Sequence, residues 1–142
     1  MGKRHQYDPK QVSLILGGAL ITGFAEGSFI NIEYNADLFT LSVGSDGEST
    51  RSKSNNNSAR ITVTLMSGAV GNALLNVAFQ ADKAAGAGAV PLAITDPSTG
   101  TLFASEGAWV VKDPGKDFQT EGQPMEWIIE TDNLQSFYGA AI

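Results

Sequence analysis

Apolar and polar residues alternate with a period of two along most of this chain, which predicts strands with one buried and one wet face. Residues 60–66 show it best: Ile61, Val63 and Leu65 alternate with Arg60, Thr62 and Thr64. Residues 29–35 do the same, with Ile30, Ile32 and Tyr34 on one face and Asn31, Glu33 and Asn35 on the other. Residues 38–43 read as the strand paired with 60–66. Residues 12–16 and 19–24 form a hairpin around Gly17-Gly18. Residues 91–95 and 101–105 flank the turn Asp96-Pro97-Ser98-Thr99-Gly100, where Asp favours turn initiation and Pro suits the second position. Residues 108–112 and 126–131 are further strands, the second with Trp127 and Ile129 on one face. Residues 137–142 make a short apolar tail.

One segment switches to helical spacing. Over residues 70–83, Val70, Leu74, Val77, Ala78 and Ala81 share a face, and Ser67 is the expected N-cap. Asn72, Asn76 and Gln80 form a narrow polar stripe, and Leu75 and Phe79 make a second apolar flank. So narrow a stripe fits a helix covered on more than one side. It is an ordinary core helix or one that a neighbouring subunit covers, with Leu75 and Phe79 as the inter-subunit residues. The order is β-rich, one helix, β-rich, without βα alternation. That predicts a mainly β fold with one α-helix, a sandwich or barrel-like sheet closed over by the helix. Residues 1–142 read as a single domain with a flexible N-terminal arm at 1–10.

Between the strands at 38–43 and 60–66 lies a long polar tract, residues 44–60. It contains no large apolar side chain, and it exceeds the about 4–6 residues of most connections. It is either disordered or an arm that docks on something. Charge sharpens this. Residues 11–50 hold Glu26, Glu33, Asp37, Asp46 and Glu48 and no Lys or Arg, whereas 51–60 hold Arg51, Lys53 and Arg60 and no acid. Complementary patches of this kind set docking register more than stability.

The 142 residues carry a net charge of -6, which argues against a general nucleic-acid binder with a basic face. Hydrophobic content of 42% and charged content of 17% are those of a globular domain with a real core. The absence of cysteine removes disulfides and thiolate metal sites. The basic start and the apolar run at 12–24 imitate a secretory leader, but Asp8-Pro9 and Gly17-Gly18 break the pattern. No apolar run reaches the about 18 residues of a membrane helix.

Catalytic arrangements fail on geometry. His5, the only histidine, sits in the N-terminal arm, which is a poor support for a triad. Ser52-Lys53 lies in a polar loop without the burial that lowers a lysine pKa. Glu126 and Glu130 would stand about 13 Å apart on one strand face, too far for a glycosidase pair. Asp46-Gly47-Glu48 is a turn before it is a metal site. Gly86-Ala87-Gly88 does not follow a strand and open a helix, as a phosphate loop requires. Asn56-Asn57-Ser58 matches the glycosylation pattern, as a run of Asn does by chance. No enzyme activity and no cofactor are expected.

Several motifs recur together in a known order: YDPKQV, GFAEGSF, the FT and VGSDGE run from Phe39, SNNNSARITVTL, NALL in the helix, VPLAITD, AWVVKDP and EWI. Across residues 7–140 the chain resembles the tail tube subunit of contractile-tailed bacteriophages. The resemblance implies two packed antiparallel sheets with a flanking helix, and hexameric rings in which the sheets join into one barrel around a bore. It further implies that rings stack into a hollow tube inside a contractile sheath, and that a long loop or hairpin reaches the adjacent ring. DNA passes through the bore during ejection. DNA-free tailocins and secretion tubes share this architecture, and a lone β-sandwich binding module is the remaining alternative.

Carried onto this sequence, the inter-ring contact falls on Asp46, Glu48, Arg51, Lys53, Asn55, Asn56 and Asn57. The tract is then expected to be mobile in the free subunit and ordered in the tube. Asn31, Glu33, Thr62 and Thr64 are the lumen-lining candidates, with an acidic bore letting DNA slide. The implied partners are further copies of the chain, the tail sheath, tape measure, baseplate and tail terminator proteins, and double-stranded DNA passing without specific binding, with no membrane anchor. The implied location is the virion tail, assembled in the bacterial host cytoplasm.

Overall fold

The structure is a computed structural model that describes residues 12–25, 27, 29–37, 39–86, 89–115 and 122–138. It contains ten strands and one helix among those residues, in the order β1 (Ser13–Leu16), β2 (Ala19–Ile21), β3 (Ile30–Tyr34), β4 (Phe39–Val43), β5 (Ser49–Lys53), β6 (Ala59–Leu65), α1 (Val70–Ala85), β7 (Val90–Asp96), β8 (Thr101–Lys112), β9 (Met125–Thr131) and β10 (Gln135–Tyr138). The expected mainly β fold with one helix and two antiparallel sheets is present. The sheets are unequal. Eight strands form one sheet in the order β2-β1-β7-β8-β9-β6-β3, with β10 also on β8, and β4-β5 form the other.

Local chemistry explains most of the elements. Gly17 and Gly18 both take positive φ, 61° and 85°, which a two-residue hairpin turn of the favoured hand demands. The β7–β8 turn is held by Asp96, whose Oδ1 accepts from the Ser98 backbone N–H at 3.1 Å and from the Ser98 hydroxyl at 2.6 Å. The strand on 101–112 is continuous, not two strands as its Glu106-Gly107 interruption suggested, because a bulge absorbs the extra residues opposite β7. Residues 131 and 135 then lie opposite 108 and 104, so β9 and β10 follow one another along β8, with a shift in register only beyond Val110. Between them, the Leu134 N–H donates to Asn57 O at 3.0 Å.

The core is one cluster. Leu14, Ile21, Ile61, Val63, Leu65, Leu92, Trp127 and Ile129 come from β1, β2, β6, β7 and β9, and all are essentially buried. Strands β6 and β9 bury every second residue, as the alternation predicts. The sheet therefore curls about this cluster. Its edge strands β2 and β3 are consecutive in sequence, and Phe24, between them, bridges Leu65 at the end of β6.

The helix packs on β2 and β8, but rotated from the expected face, of which Leu74 still packs against the core. Leu75 is fully buried and Phe79 packs against the core, whereas Val70 and Val77 are 69% and 66% exposed. The buried stripe is Gly71, Leu75 and Phe79. Gly71 sets this rotation: a Cβ there would stand 2.7 Å from Thr22 O and 2.9 Å from Ile21 Cγ2. The missing side chain lets the helix meet β2 backbone to backbone. Leu75 is thus a core residue and not an inter-subunit one. Ser67 is not the N-cap either. Ala69 holds that place with no side-chain cap, and Asn72 instead donates from Nδ2 to Met66 O at 2.8 Å. At the other end Gly86, with φ 65°, closes the helix through its N–H to Asp82 O, and Lys83 complements the dipole.

Candidate assembly surfaces

Two surfaces collect the residues that the sequence singled out. The first is the β4–β5 hairpin. The polar tract at 44–60 is not one long loop, because residues 49–53 form β5 and pair with β4 from Val43↔Ser49 to Phe39↔Lys53. Residues 38–43 and 60–66 are accordingly not paired with each other; β6 lies between β3 and β9. The hairpin tip is a tight turn. Gly44 N–H donates to Glu48 O at 2.7 Å, Glu48 N–H donates to Asp46 Oδ1 at 3.1 Å, and Gly47 takes φ 89°. Asp46 and Glu48 therefore sit at the tip, and Arg51 and Lys53 on the second strand.

Every described residue of both strands is exposed. One face of the hairpin is a ladder of Thr40, Ser42, Thr50 and Ser52. The other carries Phe39, Leu41 and Val43, 44%, 70% and 63% exposed, opposite Lys53, Arg51 and Ser49. The Arg51 guanidinium lies 4.3 Å from the centre of the Phe39 ring. By its alternation alone this stripe reads as a core face, which the structure leaves exposed. The signal was in the partner strand, which offers hydroxyls and cations but no apolar side chain to pack with.

The asparagine run does not extend with the hairpin. It ties the returning chain to the large sheet. Asn56 N–H donates to Ser54 Oγ at 3.1 Å, Asn56 Oδ1 accepts from Ser58 N–H at 3.0 Å, and Asn57 bridges Asn133 in parallel. Asn56 and Asn57 therefore belong to the hairpin's root, with Asn55 exposed beside them.

The second surface is the outer face of β3, β6 and β9. The structure does bring Asn31, Glu33, Thr62 and Thr64 onto one face: Asn31 lies opposite Thr62, and Glu33 opposite Arg60. Asn31 and Glu33 are exposed, Thr62 and Thr64 half-buried. Strand β9 extends this face with Glu126, Ile128 and Glu130. Arg60 Nη2 pairs with Glu130 Oε1 at 2.7 Å and Nε reaches the same oxygen at 3.2 Å. Carboxylates at 33, 126 and 130 thus outnumber the Arg60 guanidinium and Lys112, which lies opposite Ile128 at the β8 margin, so the surface is acidic but partly compensated. Around the sheet, the outer face of β2, β1 and β7 carries Leu20, Ile15, Ala93 and Thr95 and no charge, and Leu102 continues it onto β8, where Glu106 is exposed further along.

Beneath the polar face, Trp127 is buried and its Nε1–H donates to Asn72 Oδ1 at 2.9 Å. Asn72, expected in a solvated stripe, therefore spends its amide on the core tryptophan and the start of the helix. Among the described residues no group of three or more His, Asp or Glu is placed to hold a metal ion, and no helix is long and apolar enough to cross a membrane. The expected arm at 1–10 lies outside the described residues, as does the tail beyond Tyr138.

The described residues thus form a protruding hairpin on a curled sheet with one helix. The chain belongs to the bacteriophage PhiTE tail tube protein family, whose model matches residues 16–139. It is 30% identical over 146 aligned positions to the structural protein ORF10 of Pseudomonas phage KPP10, spanning 97% of this chain and 84% of that one. Its fold is similar to the tube terminating cap of the anti-feeding prophage, with a TM-score of 0.60, 12% identity, and coverage of 98% of this chain and 95% of that one. It is also similar to the sheath/tube terminator of an extracellular contractile injection system, PVC, in the extended state. There the TM-score is 0.62, the identity 12%, and the coverage 96% of this chain and 99% of that one.

Proposed function

We propose that this chain is the repeating subunit of a contractile-type phage tail tube, a structural and not a catalytic component. Hexameric rings stack into a hollow tube within the sheath, and the tube conducts double-stranded DNA during ejection. The observation that carries this reading is the β4–β5 hairpin. A two-stranded ribbon is marginal in water by itself, and this one holds an uncovered apolar stripe away from its own core. Such a feature suits a subunit whose fold is completed by its neighbours. We assign the inter-ring contact to Asp46, Glu48, Arg51 and Lys53 on the hairpin, with Asn55, Asn56 and Asn57 anchoring it.

The edges of the large sheet support ring formation. Strands β2 and β3 end it, and joining edges between subunits removes the free strand hazard. In this reading the face with Asn31, Glu33, Thr62 and Thr64 lines the bore. Its excess of carboxylates repels phosphate, so DNA slides instead of sticking. The sheath, tape measure, baseplate and terminator proteins are the natural partners of such a tube in the virion tail. Negative-stain electron microscopy of the purified protein tests the proposal. Rings or tubes of constant diameter are the expected result; compact monomers at high concentration would overturn it.

A further inference from the structure

The core is not sealed everywhere. A cavity of about 330 Å³ opens against the inner side of β3, lined chiefly by Val12, Phe29, Ile30, Ile32 and Phe103, with Asp96 among its polar groups. Ile30 and Ile32 sit on the core-facing side of β3, yet they are only half-buried, whereas Ile61 and Val63 opposite them on β6 are fully buried. The cavity is about the smallest size that accepts a small organic molecule, so it takes one or two side chains and not a whole strand.

The same chain carries a matching projection that its own cavity does not receive. Phe39, Leu41 and Val43 are all exposed, so the hairpin is not folded back on its own groove. It leaves β3 beyond Tyr34, whereas the groove lies along Phe29, Ile30 and Ile32 at the other end of that strand. Arg51 and Lys53 share the hairpin's apolar face, and the groove holds a carboxylate. We propose that the apolar face of one subunit's β4–β5 hairpin docks in the β3 groove of a second copy, with Leu41 and Phe39 entering beside Ile32 and with Arg51 and Lys53 meeting Asp96. The inference rests on the tube-subunit reading and names where the hairpin goes. Knob and hole lie on different parts of one chain, so the contact is heterologous and propagates from copy to copy, as stacked rings require.

The natural chain has no cysteine, which makes disulfide trapping clean. Full-length protein carrying L41C with I32C, assembled and then oxidised, should give a ladder of covalent multimers that collapses on reduction. Each single variant should give at most dimers. Tubes of normal diameter that stay monomeric on a non-reducing gel would overturn the docking while leaving the tube reading intact. Failure of the unaltered chain to form tubes would sink both. An intrachain link between Y7C and I32C in assembled tubes would overturn the proposal by giving the groove to the chain's own N-terminal segment. Should the L41C/I32C protein fail to assemble, charge reversal decides. R51E with K53E, both exposed on the hairpin, should abolish tubes while leaving the subunit folded; tubes that persist would overturn the proposal.

Discussion

Single residues carry constraints that their types alone do not announce. Gly71 lies in the first turn of α1, where alanine would ordinarily favour the helix by about 1 kcal/mol. Here the added Cβ meets the Thr22 carbonyl and the Ile21 and Leu65 side chains. Gly71→Ala should therefore destabilise the subunit by about 1–3 kcal/mol, read as a lower urea midpoint. An unchanged or higher midpoint would mean that the helix can shift at no cost. Asp96 gives a pH signature. The Ser98 hydroxyl, against an opposing effect of burial and with help from the Thr99 hydroxyl and the backbone N–H groups of both residues, holds its carboxyl below the ordinary value. A depressed folded-state pKa contributes stability above the unfolded value, and that contribution is lost as pH falls through the folded one. Asp96→Ala should thus cost stability at neutral pH, and its unfolding curve should converge toward that of the unaltered protein from about pH 4 downward. A constant gap across that range would assign the effect to something other than the carboxylate.

At the scale of elements, the helix and the hairpin exchange the roles that pattern gave them. Helical spacing is satisfied by two overlapping stripes, and the one with more aliphatic residues lost. Leu75→Ala should destabilise even the isolated subunit by about 2–5 kcal/mol, because it empties a fully buried site. Val77→Ala, on the exposed side, should change it by no more than about 0.5 kcal/mol. Thermal or chemical unfolding of the two variants measures this contrast directly. Equal effects would return the helix to the face its aliphatic residues suggested. The hairpin shows the converse. An alternating apolar strand became an exposed one, since burial depends on what lies opposite and not on the alternation itself.

At the scale of the whole molecule, charge on the outer sheet face matters only in an assembly. Glu33 is exposed and its nearest cross-strand cation, Arg60, is already paired with Glu130. With this face as the proposed bore lining, Glu33→Lys should leave folding and tube diameter unchanged, yet reduce DNA ejection and infectivity by adding a phosphate-binding cation there. Normal ejection from tubes carrying the variant would remove this face from the lumen. Much of the architecture behind this was legible beforehand. Residues 60–65 alternate strictly, and 125–131 bury every second residue, because both strands sit inside the sheet over the core. The Gly-Gly turn and the Asp-Pro turn were legible because they are local chemistry. The β5 strand was not, because Ser49 to Lys53 has no apolar residue and draws its pairing wholly from β4.

The sequence by itself determined the class of this protein: a mainly β chain with one helix, a period of two repeated along its strands, and an acidic first third followed by basic residues. These follow from alternation, turn propensity and charge, which act over a few residues. Tertiary structure alone decided which side of the helix is core, since a glycine reveals its purpose only when another backbone lies against it. It alone decided that the polar tract is a projecting hairpin rooted by its asparagines, and that a groove remains open on β3. Those outcomes depend on what stands across from each side chain, often tens of residues away in the chain.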